Sequence, residues 1–196
     1  MLESEPPAST TIPSGWKRNV AVFLTSQALS LFGSALVQYA LMWHITLTTK
    51  SGTMMALMII LGFLPAFFLS PFAGVFADRH DRKRIIMLAD AGIALATLVL
   101  ALVYARGGEA IGLLLLVSAL RSVGQAFHMP AVGAILPQMV PQDSLLRVNA
   151  LNGAVQSGLS FAAPMVAGVL LSIAPFQAIL FVDVATASLA VGLLAL

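Results

Sequence analysis

Long apolar stretches separated by short polar ones are the main pattern along the chain. Six such stretches are present, and each is close to or longer than the ~20 residues that a helix needs to cross a bilayer. Because lipid offers the backbone no hydrogen-bond partner, each stretch is predicted to be helical. The pattern therefore predicts an all-α, polytopic membrane protein with six transmembrane helices. The predicted helices cover residues 19–47, 53–76, 85–105, 110–128, 148–173 and 176–196.

Composition supports a membrane protein and argues against other classes. With 59% hydrophobic residues and a mean hydropathy of +0.97, the chain has more apolar surface than a soluble core of 196 residues can bury. The sequence pI is near 9.4, yet no basic stripe with interleaved aromatic residues is present, which argues against nucleic acid as a partner. Residues 1–18 begin with an acidic, Pro/Ser/Thr-rich stretch, which predicts a disordered cytoplasmic tail rather than a signal peptide.

Basic residues are distributed unevenly between the predicted loops. Only Lys50 and Arg106 lie on one side of the predicted bundle. Seven basic residues lie on the other side, namely Lys17, Arg18, Arg79, Arg82, Lys83, Arg84 and Arg147. Because cytoplasmic loops of membrane proteins are enriched in Lys and Arg, the amino terminus is predicted to be cytoplasmic in a multi-pass protein of the cell membrane.

Polar side chains inside the predicted helices fall into stripes. At 100° per residue, they cluster on one face of each of helices one, four and five. Polar groups that face lipid are costly, so three such faces predict a shared, partly wet substrate cavity. The alternative is that these side chains only hydrogen-bond between packed helices. The cavity candidates are Gln27, Ser30, Ser34 and Gln38 in helix one, Ser118 and Gln125 in helix four, and Asn149, Asn152, Gln156 and Ser160 in helix five.

Three ionisable residues inside the helices are candidates for proton coupling. Arg121 is predicted near the middle of the bilayer, where an unpaired arginine is costly and needs a partner. Asp90 and Asp183 are both possible partners, and the sequence does not choose between them. Protonation of the partner acid would weaken a buried pair and shift a conformational equilibrium. A static structural ion pair is the competing interpretation. The three histidines, including His128 on the helix-four stripe, lack metal-ligand spacing.

The loop between helices two and three carries the most specific motif, "GVFADRHDRKRII", at residues 74–86. This motif resembles the loop-2/3 signature of the major facilitator superfamily, although Phe76 replaces a leucine and Asp81 a glycine. The resemblance implies a conformational latch, in which the glycine permits close helix approach and the acid faces a helix amino terminus in the other half of the transporter. A purely topogenic role for the basic residues is the alternative. The latch candidates are Gly74, Asp78, Arg79, Arg82 and Lys83.

The resemblance continues through the second half of the chain. Residues 120–151, "LRSVGQAFHMPAVGAILPQMVPQDSLLRVNAL", are similar to drug-efflux members of the superfamily, especially the macrolide-efflux-like and siderophore-exporter-like branch. Helix five carries "AAPMVAG", which resembles a relaxed antiporter motif with Pro164 and Gly168 in place. The resemblance implies that residues 19–196 are the amino-terminal half of a twelve-helix fold, so that a carboxy-terminal six-helix half is an expected partner.

The resemblance implies a secondary transporter that exports hydrophobic or amphipathic small molecules by alternating access, coupled to protons. No G-x-x-x-x-G-K loop, nucleophile elbow or metal-binding histidine pair occurs, so we expect neither an enzyme nor a bound cofactor or metal. Two alternatives stay open. One is an importer or lipid carrier on the same fold, and the other is a membrane sensor or assembly module that transports nothing.

Overall fold

A computed structural model of the chain describes residues 15–195, which form six helices joined by short turns. All six are long and apolar enough to cross a membrane, which confirms the predicted all-α polytopic fold. The helices are α1 (Trp16–Thr49), α2 (Gly52–Arg79), α3 (Arg82–Ala105), α4 (Ile111–Met139), α5 (Gln142–Ile173) and α6 (Phe176–Ala195).

Predicted helix ends were wrong in two parts of the chain. The sequence placed a long loop at residues 129–147, whereas α4 continues to Met139 and α5 begins at Gln142. Pro130 and Pro137 lie inside α4, where neighbouring helices allow a membrane helix to tolerate proline. At the amino terminus, α1 begins at Trp16, so the last three residues of the predicted disordered tail are helical. Residues 1–14 of that predicted tail lie outside the described residues.

The helices pack in a defined order. Helix α2 packs mainly on α4, α4 on α3, α3 on α6, α6 on α1, and α1 on α5. Helices α1, α3, α4 and α6 therefore surround the centre of the bundle, while α2 and α5 lie outside it. Apolar side chains of these outer helices are widely exposed, as Phe72 and Phe161 illustrate at 73% and 77%. These faces are open to lipid or to further protein.

Two apolar clusters close the interior at its ends. The cluster at the end that holds the α2–α3 turn, here called the basic end, includes Phe23, Ile86 and Leu136. The cluster at the opposite end includes Leu41 and Leu100. Buried polar residues lie between these two clusters on α1, α3, α4 and α6, and we call this middle layer the polar seam. Its members are Gln27, Ser30, Ser34, Asp90, Thr97, Ser118, Arg121, Ser122, His128 and Asp183.

The tight turn at the basic end is built by a helix cap. Asp81 is the N-cap of α3, and its carboxylate accepts a hydrogen bond from the Arg84 N–H at 3.2 Å. Its φ of −63° is not left-handed, so Asp81 replaces the family's glycine without backbone strain. The short turn therefore brings the end of α2 directly beside the start of α3.

Candidate functional site

A buried ion pair lies at the centre of the polar seam. Arg121 on α4 donates from Nη1 to the carboxylate of Asp183 on α6 and to the hydroxyl of Thr97 on α3. Its Nη2 also donates to the backbone carbonyl of Ser34 on α1, at 2.9 Å. Four helices thus converge on one guanidinium group, and Asp183 rather than Asp90 is its acidic partner.

The carboxylate of Asp183 is held from two further sides. Thr97 donates to its Oδ2 at 2.8 Å, and the Ser34 hydroxyl donates to its Oδ1 at 3.3 Å. Arg121 and Asp183 are 3% and 0% exposed, so each charge depends on the other for compensation. A change in the charge of either group would disturb contacts to α1, α3, α4 and α6 together.

A second buried ionisable pair lies nearer the basic end. Asp90 on α3 accepts a hydrogen bond from Ser30 on α1, at 2.8 Å. His128 on α4 places its Nε2 3.3 Å from the same oxygen of Asp90, although neither ring nitrogen has hydrogen-bond geometry to a described residue. Asp90 therefore has its own partner and is not the counter-charge of Arg121.

A cavity of about 220 Å³ opens beside the central ion pair, between α1, α2 and α4. Arg121 contributes to its lining together with three of the predicted cavity residues, Ser34, Gln38 and Gln125. Ser118 lies next to it and accepts a long hydrogen bond from Gln38 at 3.5 Å. The polar faces of helices one and four thus meet around this space, which is large enough for several water molecules.

The predicted cavity residues on helix five are placed differently. Helix α5 packs chiefly on α1, and its polar row does not line the cavity beside Arg121. Within residues 15–195, Asn149 and Ser160 are exposed, and Asn152 and Gln156 are half-buried. Pro164 and Gly168 also lie on α5, where their neighbours Ala163 and Ala167 are fully buried. Gln27 and Ser30 of helix one lie in the polar seam rather than in the cavity lining.

At the basic end, Arg82 ties three helices together. Its guanidinium donates to the carbonyl of Ala77 at the end of α2, at 3.3 Å, and to the carbonyl of Ala134 on α4, at 3.1 Å. Its contact with Asp78 is 3.5 Å long and lies at the surface, where such a pair contributes little.

The other latch candidates make no hydrogen bond to a neighbouring helix other than the contact between Asp78 and Arg82, among the described residues. The Asp78 side chain is 71% exposed, and Arg79 is exposed as well. A Cβ added at Gly74 would meet no described atom within 4 Å, so the packing within residues 15–195 does not require glycine there. Lys83 is half-buried beside Arg18 in a groove at the basic end. Arg82 alone among these candidates is fixed by hydrogen bonds to other helices.

Replacing Arg82 with glutamine is expected to lower the free energy of unfolding by about 1 to 2 kcal/mol, because two charge-assisted hydrogen bonds to backbone carbonyls are lost. The matched control is Arg84→Gln, since the Arg84 side chain is 83% exposed and pairs only with Asp81. That control is expected to change stability by no more than about 0.5 kcal/mol. Thermal unfolding of the purified proteins in detergent would measure both, and equal losses would rule out the structural role of Arg82.

Sequence reasoning missed Thr97 and Ser122 in the polar seam, and it did not assign a partner to His128. Thr97 bridges Arg121 and Asp183, and the available signal was its position seven residues after Asp90, which places both on one face of α3. His128 was identified on the helix-four stripe but not as the neighbour of Asp90. His128 is also seven residues from Arg121, so one face of α4 carries Arg121 and His128, and the facing side of α3 carries Thr97 and Asp90.

Six membrane-spanning helices around buried ion pairs and a polar cavity define a polytopic membrane protein of the transporter class. Residues 15–196 match the family described as transmembrane secretion effector, and the chain belongs to this family of the major facilitator superfamily. This confirms the resemblance found in the sequence. The residues that match the family include all six helices of the bundle.

Relatives of known description support the same class. Macrolide efflux protein A of Streptococcus pyogenes is 36% identical over 177 residues, which cover 90% of this chain and 44% of the relative. Macrolide efflux protein A of Enterococcus faecalis is 39% identical over 133 residues, covering 68% of this chain and 41% of the relative. The Staphyloferrin A transporter of Staphylococcus aureus is 24% identical over 152 residues, covering 77% and 38%. The chain thus spans less than half the length of these relatives, which are transport proteins and not enzymes.

Proposed function

We propose that this chain works with a second six-helix half as a proton-coupled exporter of hydrophobic or amphipathic small molecules. The observation that carries this proposal is the buried Arg121–Asp183 pair beside a polar cavity. The chain spans less than half of its relatives, which supports a missing second half. Alternating access then means that the cavity opens first to one side of the membrane and then to the other.

The pair supplies the physical link between a proton and a conformation. When a proton binds the Asp183 carboxylate, the acid becomes neutral and the Arg121 guanidinium loses its counter-charge. An uncompensated buried cation is strongly unfavourable, so arrangements that give Arg121 more water or another partner become favoured. Because Arg121 also lines the cavity, a bound substrate and a bound proton act on the same side chain. Proton binding and substrate binding therefore influence each other through Arg121, as proton-coupled transport requires.

The substrate class follows from two adjoining surfaces. The polar cavity beside Arg121 shares Gln125 with an apolar trough between α2 and α4, which is lined by Phe63, Phe67 and Met129. A molecule with a polar group and a large apolar body fits this combination, whereas a small hydrophilic solute would leave the aromatic side chains unused. The macrolide efflux proteins among the relatives favour export of such molecules.

The exposed loop residues at the basic end complete the proposal. Asp78 and Arg79 are exposed and can contact a partner outside this chain. In the family's latch, the corresponding residues contact the other half of the transporter. In this proposal the basic end faces the cytoplasm and the protein resides in the cell membrane, because seven of the ten basic residues lie at that end. The latch would form in one conformation of the complete transporter and break in the other.

The decisive experiment is drug uptake into inverted membrane vesicles that contain the full-length gene product, driven by an imposed proton gradient. We expect accumulation of lipophilic compounds, including macrolides, that collapses when a protonophore dissipates the gradient. Accumulation that ignores the gradient would contradict proton coupling. If no compound moves, the proposal fails and a sensor or assembly module becomes the better interpretation.

Phe67→Ala tests the apolar trough. We expect the substrate concentration for half-maximal uptake to rise about tenfold, because loss of about 1.4 kcal/mol of apolar contact changes affinity by that factor. The matched control is Leu88→Ala, since Leu88 is 73% exposed on α3 and lies outside the trough. Uptake assays over a concentration series in the same vesicles measure both variants. If the two substitutions had equal effects on uptake, Phe67 would not be part of the substrate-binding surface.

A further inference from the structure

The polar seam holds two ionisable pairs, and only one of them has a part in the proposed coupling. Asp90 and Arg121 each have a separate partner, His128 and Asp183 respectively. His128 lies seven residues after Arg121 on α4, which is ~10.5 Å along the helix. The Asp90–His128 pair is therefore a separate centre, two helical turns closer to the basic end.

An apolar contact separates the two pairs. Ile93 lies between Asp90 and Thr97 on α3, and Gly124 lies between Arg121 and His128 on α4. The two residues pack so closely that a Cβ added at Gly124 would come within 2.5 Å of Ile93 Cγ1. Ile93 is 2% exposed, so it fills the space between the two polar groups with hydrocarbon. The two pairs are therefore not in direct contact between α3 and α4, whereas on α1 Ser30 and Ser34, one turn apart, each donate a hydrogen bond to one of them.

The bonding of His128 differs from that of a structural histidine. Buried polar atoms normally have hydrogen-bond partners, yet neither ring nitrogen of His128 has hydrogen-bond geometry to a described residue. Only Asp90 stands close, with its Oδ1 3.3 Å from Nε2. An imidazole next to a carboxylate gains a strong partner when it takes up a proton, because the contact becomes a charged pair.

Polar side chains on α1 continue from this pair toward the basic end. Gln27 lies one turn before Ser30 on α1, and its amide is buried without a hydrogen-bond partner among the described residues. Ser30 in turn donates to Asp90. The side chains of Gln27, Ser30 and Asp90 thus form a buried polar group around the pair, on the inner side of the apolar cluster at the basic end.

Few other charged groups lie near the Asp90–His128 pair. The other buried ionisable groups in residues 15–195 are Arg121 on α4 and Asp183 on α6, which neutralise each other. The side chains that α1 contributes to the polar seam, including Gln27, Ser30 and Ser34, are all uncharged. The ionisable groups of α2 and α5 lie at the ends of the bundle, at Asp78, Arg79, His80, Asp143 and Arg147.

We propose that Asp90 and His128 form a second proton-binding site, distinct from the Arg121–Asp183 pair. The neutral imidazole takes one proton from water and becomes an imidazolium that pairs with the Asp90 carboxylate. Release returns that proton to water and restores the neutral ring. The use of this proton in transport rests on the proposed function, whereas its binding does not. A transporter with both sites holds up to two protons per cycle.

The test is ¹⁵N NMR of histidine-labelled full-length protein in lipid nanodiscs between pH 5 and 8.5. The His128 resonance is identified by its loss in His128→Gln, with His80→Gln as a control that removes an exposed histidine. We expect His128 to titrate within this range. Asp90→Asn is expected to shift that titration by about one pH unit or more, since a carboxylate within ~4 to 6 Å has an effect of this size. Asp183→Asn is expected to shift it by less than Asp90→Asn does, because the Arg121–Asp183 pair lies farther from the ring than Asp90 does.

Two results would overturn the proposal. The first is that the His128 ring of the wild-type protein keeps a single protonation state across the whole pH range. This result does not depend on how any variant folds. The other is an Asp183→Asn shift as large as that of Asp90→Asn, which would make the two pairs one coupled network. Uptake assays with vesicles from the same preparations test the proposed function separately from the second proton-binding site. Vesicles that transport nothing, with the His128 titration as expected, would refute proton-coupled export and leave the second proton site established.

Discussion

Asp183→Ala is expected to lower the free energy of unfolding by about 3 to 5 kcal/mol and to abolish gradient-driven uptake. The substitution leaves the Arg121 guanidinium buried with no counter-charge, and breaking a buried pair on one side has a penalty of this size. Unfolding of the purified protein in mixed micelles and uptake into inverted vesicles measure the two effects. The matched control is Asp143→Ala, an exposed carboxylate in the first turn of α5, which should change neither.

The double variant Arg121→Met/Asp183→Leu separates stability from coupling. Replacing both charges with apolar side chains of similar volume removes the uncompensated cation, so stability should return to near the wild-type value or exceed it. Uptake should stay abolished, because no group at this site then takes up a proton. A double variant that still accumulates drug in response to a proton gradient would show that the Arg121–Asp183 pair is structural and that coupling resides elsewhere.

The two apolar clusters explain why a change at this pair reaches the whole bundle. The helices meet at the basic end through residues such as Ile86 and Leu136, and at the opposite end through residues such as Leu41 and Leu100. Between them, the contacts are directional hydrogen bonds to Ser34, Thr97 and their neighbours. Apolar packing tolerates small sliding movements, whereas hydrogen bonds to a charged group have few favourable arrangements. The middle layer therefore distinguishes between conformations more sharply than the ends do.

Sequence patterns predicted the number, type and approximate depth of the helices, because these depend on apolar length alone. They also identified Arg121 and both acids. They did not assign Asp183 to Arg121, since that pairing depends on α6 lying beside α1 and α3, which no local pattern encodes. The predicted loop at residues 129–147 was wrong for a related reason. Helix α4 continues through Pro130 and Pro137, although proline usually ends a helix, and α5 begins with polar residues that hydropathy does not detect.

The polar row on helix five illustrates a second limit of the sequence. Periodicity showed that Asn149, Asn152, Gln156 and Ser160 share a face of that helix, but not which neighbour the face meets. In the described structure α5 packs on α1 through small residues such as Ala163 and Ala167, and its polar row lies apart from the cavity beside Arg121. The assignment of this row to a substrate cavity therefore stays a prediction, which depends on what covers α5 in the complete transporter.

Among the described glycines, Gly33 has the least room for a side chain, and substitution there is expected to have the second-largest effect. A Cβ added at Gly33 would lie 1.9 Å from Thr186 Oγ1 and 3.3 Å from the backbone Cα of Asp183. The first contact needs a short, β-branched side chain to move, and the second needs α6 itself to move. Any larger residue at Gly33 therefore pushes Asp183 away from Ser34, Thr97 and Arg121.

We expect Gly33→Val to lower the free energy of unfolding by about 3 kcal/mol, near the upper end of the usual penalty for overpacking, and to reduce gradient-driven uptake at least tenfold. Micelle unfolding and vesicle uptake measure these changes. The control is Gly192→Ala on α6, where an added Cβ meets no described atom within 4 Å. That control should be neutral or stabilising by up to about 1 kcal/mol, because alanine favours helix more than glycine does.

A graded series makes the test of Gly33 specific. Gly33→Ala should be less severe than Gly33→Val, and adding Thr186→Ala should recover part of the loss, because it removes the hydroxyl at the shortest contact. Recovery should be incomplete, since the approach to the Asp183 backbone is unchanged. If Gly33→Ala were as stable and active as Gly192→Ala, the close packing of α1 on α6 would not be what positions Asp183, and the geometry of the ion pair would have to depend on α3 and α4 alone.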